Sequence, residues 1–263
     1  MPTKIYDKLK RLYLIINRLK TKPQTKAQLK AYLESHEIWI EDATFERDKK
    51  ELRVEFGVDL IYDKSLKSYT IDFNQNEEVK DLLYFLELNQ LSQSLKQSFQ
   101  NSKNSLSCID FENKNQLEGV AFIDRILKAI KEHKYLEFYH QRFQADKPIL
   151  YKVKPVLLKE YQSRWYVVSA YKSNFKLFGL DRISDLKILE EQFEPIKEDV
   201  KSKFKTCVGV SNFYNKPEYV VLQFEDSQKP YLDKLPLHSS QELISETEES
   251  VTYEYYVVIN YEF

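Results

Sequence analysis

One stretch confines the fold more than any other. Residues 164–183 read RWYVVSAYKSNFKLFGLDRI, two short runs of β-forming residues (165–170 and 175–179) joined by a tight polar turn. A hairpin of this kind, dense in aromatic and basic residues, needs further strands to bury its apolar side. Comparable runs stand at 135–139, 150–158 and 186–189, so five short strands with polar turns predict a small β-barrel. Pro155 lies inside the second of them and calls for an edge or a bulge, because proline has no backbone N–H to give a ladder.

The termini carry other patterns. In the first segment Ile5, Leu9, Leu12, Ile16 and Leu19 recur at helical spacing, and Pro23 ends the run. Thr25 and Gln28 then have the form of a capping box, opening a helix with Leu29, Tyr32 and Leu33 inward. Asp42 can cap a third helix running to residue 55. Its apolar stripe is narrow: Leu52 and Phe56 each fall within about 20° of Phe45 at 100° per residue. Arg47 and Lys50 lie on the opposite side. Two β-like runs, 60–62 and 68–71, follow around a polar turn, and three helices followed by a hairpin is the order of a winged helix-turn-helix. A further helix is expected at 77–96 with Val79, Leu82, Leu83 and Leu86 inward, then a Ser-, Asn- and Gln-rich joint at 97–116.

Composition removes several classes of function. Net charge is −1, yet residues 1–30 hold nine Lys or Arg against the single acid Asp7, a positional clue to a polyanionic partner. Cys108 and Cys207 stand far apart without CxxC spacing, which argues against a disulfide framework or zinc site and fits a reducing, cytoplasmic setting. No apolar run approaches the roughly 18 residues of a membrane span, so no membrane partner is expected. The four glycines are not spaced to cradle phosphates. The four histidines show no metal-binding spacing, and no nucleophile elbow or paired carboxylates are present, so neither an enzyme nor a cofactor is expected.

The hairpin at 164–183, with its Trp165-Tyr166-Val167 and Lys176-x-Phe178-x-Leu180-Asp181-Arg182-Ile183, resembles the signature hairpin of the WYL domain, a sensor module of bacterial transcription regulators. Val167 stands where the family has Leu, and Lys176 where Arg is commoner. The run from Phe138 to Phe143 resembles a family strand in which His140 takes a usual tyrosine position. Upstream, Ala43-Thr44-Phe45-Glu46-Arg47-Asp48 with Phe56-Gly57 and Ser68-Tyr69 resembles the recognition helix and wing that precede such domains. Pro236 to Gln241 resembles the start of their C-terminal extension.

The resemblance implies an α+β, multidomain chain: a winged helix-turn-helix (1–72), a helical linker (73–118), a WYL domain of small Sm- or SH3-like barrel form (119–190), a spacer (191–217) and a partial α/β C-terminal extension (218–263). Its function would be a DNA-binding transcription regulator, a homodimer, sensing a nucleotide or nucleic-acid ligand and controlling a phage-defence or DNA-damage locus. Thr44, Arg47, Lys50, Lys64 and Lys67 would touch double-stranded DNA. His140, Tyr166, Lys176 and Arg182 would gather on one barrel face, where guanidinium, ammonium and planar rings suit phosphate and base. The alternative is a single-strand nucleic-acid-binding module that uses the barrel surface. Last, apolar residues alternate from Val251 to Phe263, predicting a long strand with nothing after it to pair with. Either the chain is truncated there, or that strand pairs with another subunit.

Overall fold

The structure, a computed structural model, describes residues 2–73, 77–101, 118–143 and 145–263. The chain divides into two compact units, 1–110 and 111–263.

In the first unit, α1 (Pro2–Thr21), α2 (Lys26–Glu34) and α3 (Asp42–Phe56) precede a hairpin of β1 (Ile61–Asp63) and β2 (Ser68–Thr70), and α4 (Glu77–Asn101) follows. The α1 face buries Leu12, Ile15, Ile16 and Leu19 against Leu29 and Leu33 of α2, Phe45 and Leu52 of α3, and Val79, Leu82, Leu83 and Leu86 of α4. The capping box of α2 forms as the sequence predicts: the Gln28 amide donates to Thr25 Oγ1, and the Thr25 amide donates to the Gln28 side chain. Asp42 does not cap α3. Glu41 holds the cap position without a side-chain bond, and the Asp42 carboxylate, one residue into the helix, accepts from Lys30 Nζ at 3.0 Å instead. The fourth helix runs past residue 96 to Asn101; the rest of the expected joint, 102–116, lies outside the described residues, as does Cys108.

In the second unit α5 (Ile123–Lys131) leads into β3 (Lys134–His140), β4 (Ile149–Tyr161), β5 (Arg164–Tyr171), β6 (Asn174–Gly179) and β7 (Ile183–Gln192). All five expected strands are present and antiparallel, in the order β6-β5-β4-β3-β7. They do not close into a barrel: among the described residues no ladder joins β6 to β7. β4 gives residues 149–153 to β3 and 154–161 to β5, so its two halves serve separate ladders and β6 and β7 end the sheet as its two edges among the described residues. A bulge between Pro155 and Leu157 sits just past that changeover, where the missing proline N–H leaves no gap in a ladder. Alternation sorts the side chains: Val167 packs with Phe138, Val153, Phe178, Ile126 and Ala129 on one face, and Val168 packs on the other.

The stretch read as a spacer is used to cover that other face. The sheet extends into it as far as Gln192, α6 (Val200–Lys203) follows, and Val200, Cys207 and Phe213 are buried against Val168. Phe204 stacks on Phe213 with centroids 4.4 Å apart.

The end of the chain corrects a second expectation. It forms β8 (Glu218–Glu225), α7 (Lys229–Lys234), β9 (Glu242–Glu246) and β10 (Ser250–Val257), and the sheet order is β8-β10-β9. The strand expected to lack a partner is central, paired on both edges within its own chain, and it stops at Val257. Its alternation buries Val251, Tyr253, Tyr255 and Val257 beneath Leu232 of α7. Two phenols within that face are satisfied, with Tyr253 donating to Asp233 (2.6 Å) and Tyr255 to Gln241 (3.1 Å).

Candidate functional site

Two groups of residues were expected to carry function. On α3, Phe45, Asp48 and Leu52 turn inward, Thr44 is half-buried, and Arg47 and Lys50 are exposed. The buried carboxylate at Asp48 was not anticipated. It accepts from Arg11 Nε (2.5 Å) and Nη2 (2.9 Å), a bidentate pair joining α3 to α1 that raises the Arg11 pKa through those hydrogen bonds. The basic balance of residues 1–30 is in part spent internally. Lys8, Arg11, Lys26 and Lys30 each pair with an acid of α3: Glu51, Asp48, Glu46 and Asp42 respectively.

The turn of the hairpin is tied together by Asp63. Asp63 accepts from the Ser65 hydroxyl (2.6 Å), the Ser65 amide (2.7 Å) and the Leu66 amide (3.1 Å), which holds its carboxyl below the usual range. Lys64 and Lys67 stand exposed at this turn, Lys67 with φ +47°. Tyr69 exchanges backbone hydrogen bonds with Gln24 and packs edge-on against Phe45, so the turn has a fixed relation to α3.

In the second unit the structure brings His140, Lys176 and Arg182 together and leaves Tyr166 out. Along β5, Trp165, Val167 and Tyr171 point to the face that carries Phe178, whereas Tyr166 alternates to the opposite face. Trp165 packs against the core of the first face, so it too is structural.

Two residues that sequence reading did not single out complete the cluster. Tyr151 of β4 accepts from Lys176 Nζ (3.0 Å) and Arg142 Nη2 (2.9 Å) at one phenol oxygen. Burial alone would push that phenol up; the bonds from Lys176 and Arg142 outweigh it and leave its pKa below the ordinary value. The Lys176 ammonium lies over the rings of Tyr151, Phe178 and Tyr171 at 4.5, 5.4 and 5.5 Å. Among the described residues neither Lys176 nor Arg142 pairs with a carboxylate. Alternation along β4 places Tyr151 with Val153 on the core face, and Arg142 stands inside the run around His140, but no local pattern marks either as a polar partner of Lys176.

His140 is only 5 % exposed, and neither ring nitrogen has a hydrogen-bond partner among the described residues. It stands edge-on to Phe178 (5.2 Å) and Tyr151 (6.3 Å). Burial first, then the charges of Arg182 and Lys176, push its pKa down to about 4. Arg182 lies 4.1 Å above the ring of Phe143, which is 75 % exposed, and its Nε reaches Asp181 at 3.3 Å. Asp181 also accepts from Arg164 at 3.2 Å, so its single charge is shared. Arg142, Phe143, Ala145 and Arg182 line an open cavity of about 470 Å³.

Two glycines hold this turn in place. A Cβ on Gly179 would strike the Asp181 carboxylate and the Arg182 guanidinium, and one on Gly119, at φ +79°, would collide with the Leu180 carbonyl. The Gln141 amide donates to the Arg182 carbonyl at 3.0 Å, tying the end of β3 to the same turn. No group of His, Cys, Asp and Glu able to hold a metal occurs among the described residues. No helix among them is long and apolar enough to cross a membrane.

Comparison with known proteins finds no match among curated proteins. Among solved structures the chain is similar to the proteasome accessory factor B/C (PafBC) of Arthrobacter aurescens, at 16% identity and a TM-score of 0.36; 95% of this chain is covered. The chain spans 41% of the length of that protein. Residues 121–188, which hold α5, the five-stranded sheet as far as Ile188 and the cluster of His140, Tyr151, Lys176 and Arg182, match the family model of the WYL domain.

Proposed function

We propose that the chain is a transcription regulator acting in the cytoplasm. Its first unit holds double-stranded DNA as a winged helix-turn-helix, and its WYL-matching residues sense a nucleotide or nucleic-acid ligand. The observation that carries the reading is the cluster on β3, β4 and β6, where Lys176 and Arg142 converge on a neutral oxygen with no carboxylate between them. Cations arranged beside Tyr151, Tyr171 and Phe143 offer charge-assisted bonds to phosphate and ring faces to a base. Thr44, Arg47 and Lys50 supply the DNA-facing side of α3, and Lys64 and Lys67 the wing. The role is binding rather than turnover. Control of a phage-defence or DNA-damage locus, and a homodimer matching a palindromic operator, belong to the same proposal.

The test is genome-wide mapping of the DNA bound by the full chain, followed by affinity measurements on the recovered operator. Arg47→Ala with Lys50→Ala should lose about 1–3 kcal/mol of operator affinity if Arg47 reads a base. Arg182→Ala should keep operator affinity and lose the response to added short single-stranded DNA or mononucleotides, whereas Tyr166→Ala should keep both. An operator bound equally well by the double variant refutes the DNA assignment.

A second reading, a single-strand-binding surface, is favoured by one further observation. Tyr171 also borders a groove of about 400 Å³ lined by Tyr135, Lys152, Lys154 and Lys172, so rings and cations continue beyond the cluster. Duplex and single-stranded competitors against the full chain separate the readings, because only the regulator prefers its duplex operator.

A further inference from the structure

The cluster in the second unit holds two polar arrangements that make sense together and not apart. The first is the sharing of one phenol oxygen by two cations. A phenol oxygen has two acceptor lone pairs, and Lys176 and Arg142 take both, at 3.0 and 2.9 Å. Two positive charges therefore face each other across a neutral atom, which compensates them less well than any anion would. The second is the imidazole of His140, enclosed beside that phenol with both nitrogens unpartnered. A buried polar group without a partner is costly and calls for an explanation.

The charged and polar groups around His140 come from four parts of the fold. Lys176 stands on β6, Arg142 just past the end of β3, and Arg182 and Asp181 on the turn after β6, while Tyr151 on β4 contributes a neutral hydroxyl. Three cations meet one carboxylate, and that carboxylate is already shared with Arg164. The pocket therefore carries an excess of positive charge, and the imidazole stays neutral within it.

We propose that Tyr151 is a latch occupying the place of a terminal phosphate. A ligand bearing a phosphomonoester dianion draws Arg142 and Lys176 off the phenol, and His140 takes up a proton from solvent as the anion arrives. This rests on the reading that these residues hold an anionic ligand, and it narrows that ligand to one with a phosphate end. A phosphodiester brings one negative charge, which Arg142 and Lys176 already exceed. A monoester brings two, which cancels both and lifts the repulsion that Lys176 and Arg142 exert on an imidazolium there. The released phenol then has free lone pairs and can accept from the imidazolium beside it.

The experiment is isothermal titration of the full chain with adenosine 5′-monophosphate and with its methyl phosphodiester, at pH 7. Each titration is run in two phosphate-free buffers of different ionisation enthalpy, so that a buffer-dependent heat reports proton exchange. The monoester should bind about tenfold or more tightly than the diester, the ratio that one further favourable charge interaction of about 1.4 kcal/mol gives. Only the monoester should bind with net proton uptake. In His140→Gln the uptake should vanish and the ratio should shrink. In Tyr151→Phe, which keeps the ring and removes the latch, both probes should bind more tightly, and this arm stands if the His140 variant fails to fold. Equal affinities without uptake overturn the proposal and leave the ligand-site reading intact. Uptake persisting undiminished in His140→Gln puts the proton on the phosphate and overturns the role of His140. Failure of both probes to bind the wild-type chain overturns the ligand-site reading itself.

Discussion

Replacing Arg11 by Met should unfold the first unit more readily than any change on its surface. The Asp48 side chain is 1 % exposed and that of Arg11 11 %, so the pair is effectively removed from water. Met keeps most of the apolar stem and deletes the guanidinium. Asp48 is then left buried, with two lone pairs that had accepted from Arg11 at 2.5 and 2.9 Å. Removing one member of a buried pair costs about 3–5 kcal/mol, and the sliver of solvent at the guanidinium points to the lower end, about 3 kcal/mol. For a unit of this size that lowers the melting temperature by about 12 °C or more. Urea melts followed by circular dichroism measure it directly. The loss should persist at high salt, because a buried pair is screened far less than a surface one. Arg11→Met combined with Asp48→Leu should recover most of the loss, since an apolar pair of similar volume carries no stranded charge. A single variant costing less than about 1 kcal/mol, or a double variant worse than either single one, refutes the reasoning.

Three other perturbations follow from the geometry. His140 has its folded pKa lowered to about 4 while the unfolded value stays near 6.5. Its contribution is therefore intact above pH 6.5 and is lost progressively as pH falls towards 4, by at most on the order of 3 kcal/mol. Melts at pH 7 and pH 5 should show a larger drop for wild type than for His140→Gln, and equal drops refute it. Gly119→Ala puts a Cβ against the Leu180 carbonyl at a positive φ and should destabilise the second unit by more than about 1 kcal/mol, as differential scanning calorimetry would show; an unchanged melting temperature refutes it. Removing the charge of Lys64 or Lys67 should weaken operator binding alike across sequences and lower the log–log salt slope by about one each; an unaltered slope takes the wing off the DNA.

The parts of the fold that were legible in the sequence are those encoded by one segment at a time. Thr25 and Gln28 announce α2 because a capping box is local, and the five strands of the second unit announce themselves by alternation within short bounded runs. What depends on pairing was not legible. The pattern of β10 states which residues face inward, correctly from Val251 to Val257, and says nothing of its neighbours. One of those, β9, is exposed at all five positions and so carries no alternation to read. Asp48, three residues past Phe45, fell on the buried side of α3, yet nothing local names Arg11, 37 positions away, as its partner. Within the cluster, Lys176, Arg182 and His140 are named by motif resemblance and do lie together, whereas Tyr166, next to Val167, turns to the other face by the parity of the strand. Tyr151 was missed because a tyrosine in a strand reads as core until its hydroxyl is seen between two cations.

The contact between Gly119 and Leu180 leaves no slack. Gly119 stands at the start of the described part of the second unit, and its backbone rests on the carbonyl of the residue two places before Arg182. Where two backbones touch with no side chain between them, neither can advance without pushing the other; a cushion of methyl groups would have absorbed the displacement. An Arg182 that shifts to meet an anion moves a three-residue turn pinned by the Gln141 amide on one side and seated on Gly119 on the other. Such a displacement would reach the backbone leading into α5 as a rigid push rather than as a loosening. The protein would register a ligand as a change in the position of its chain, with the stiffness of that glycine seat setting how much of the motion arrives.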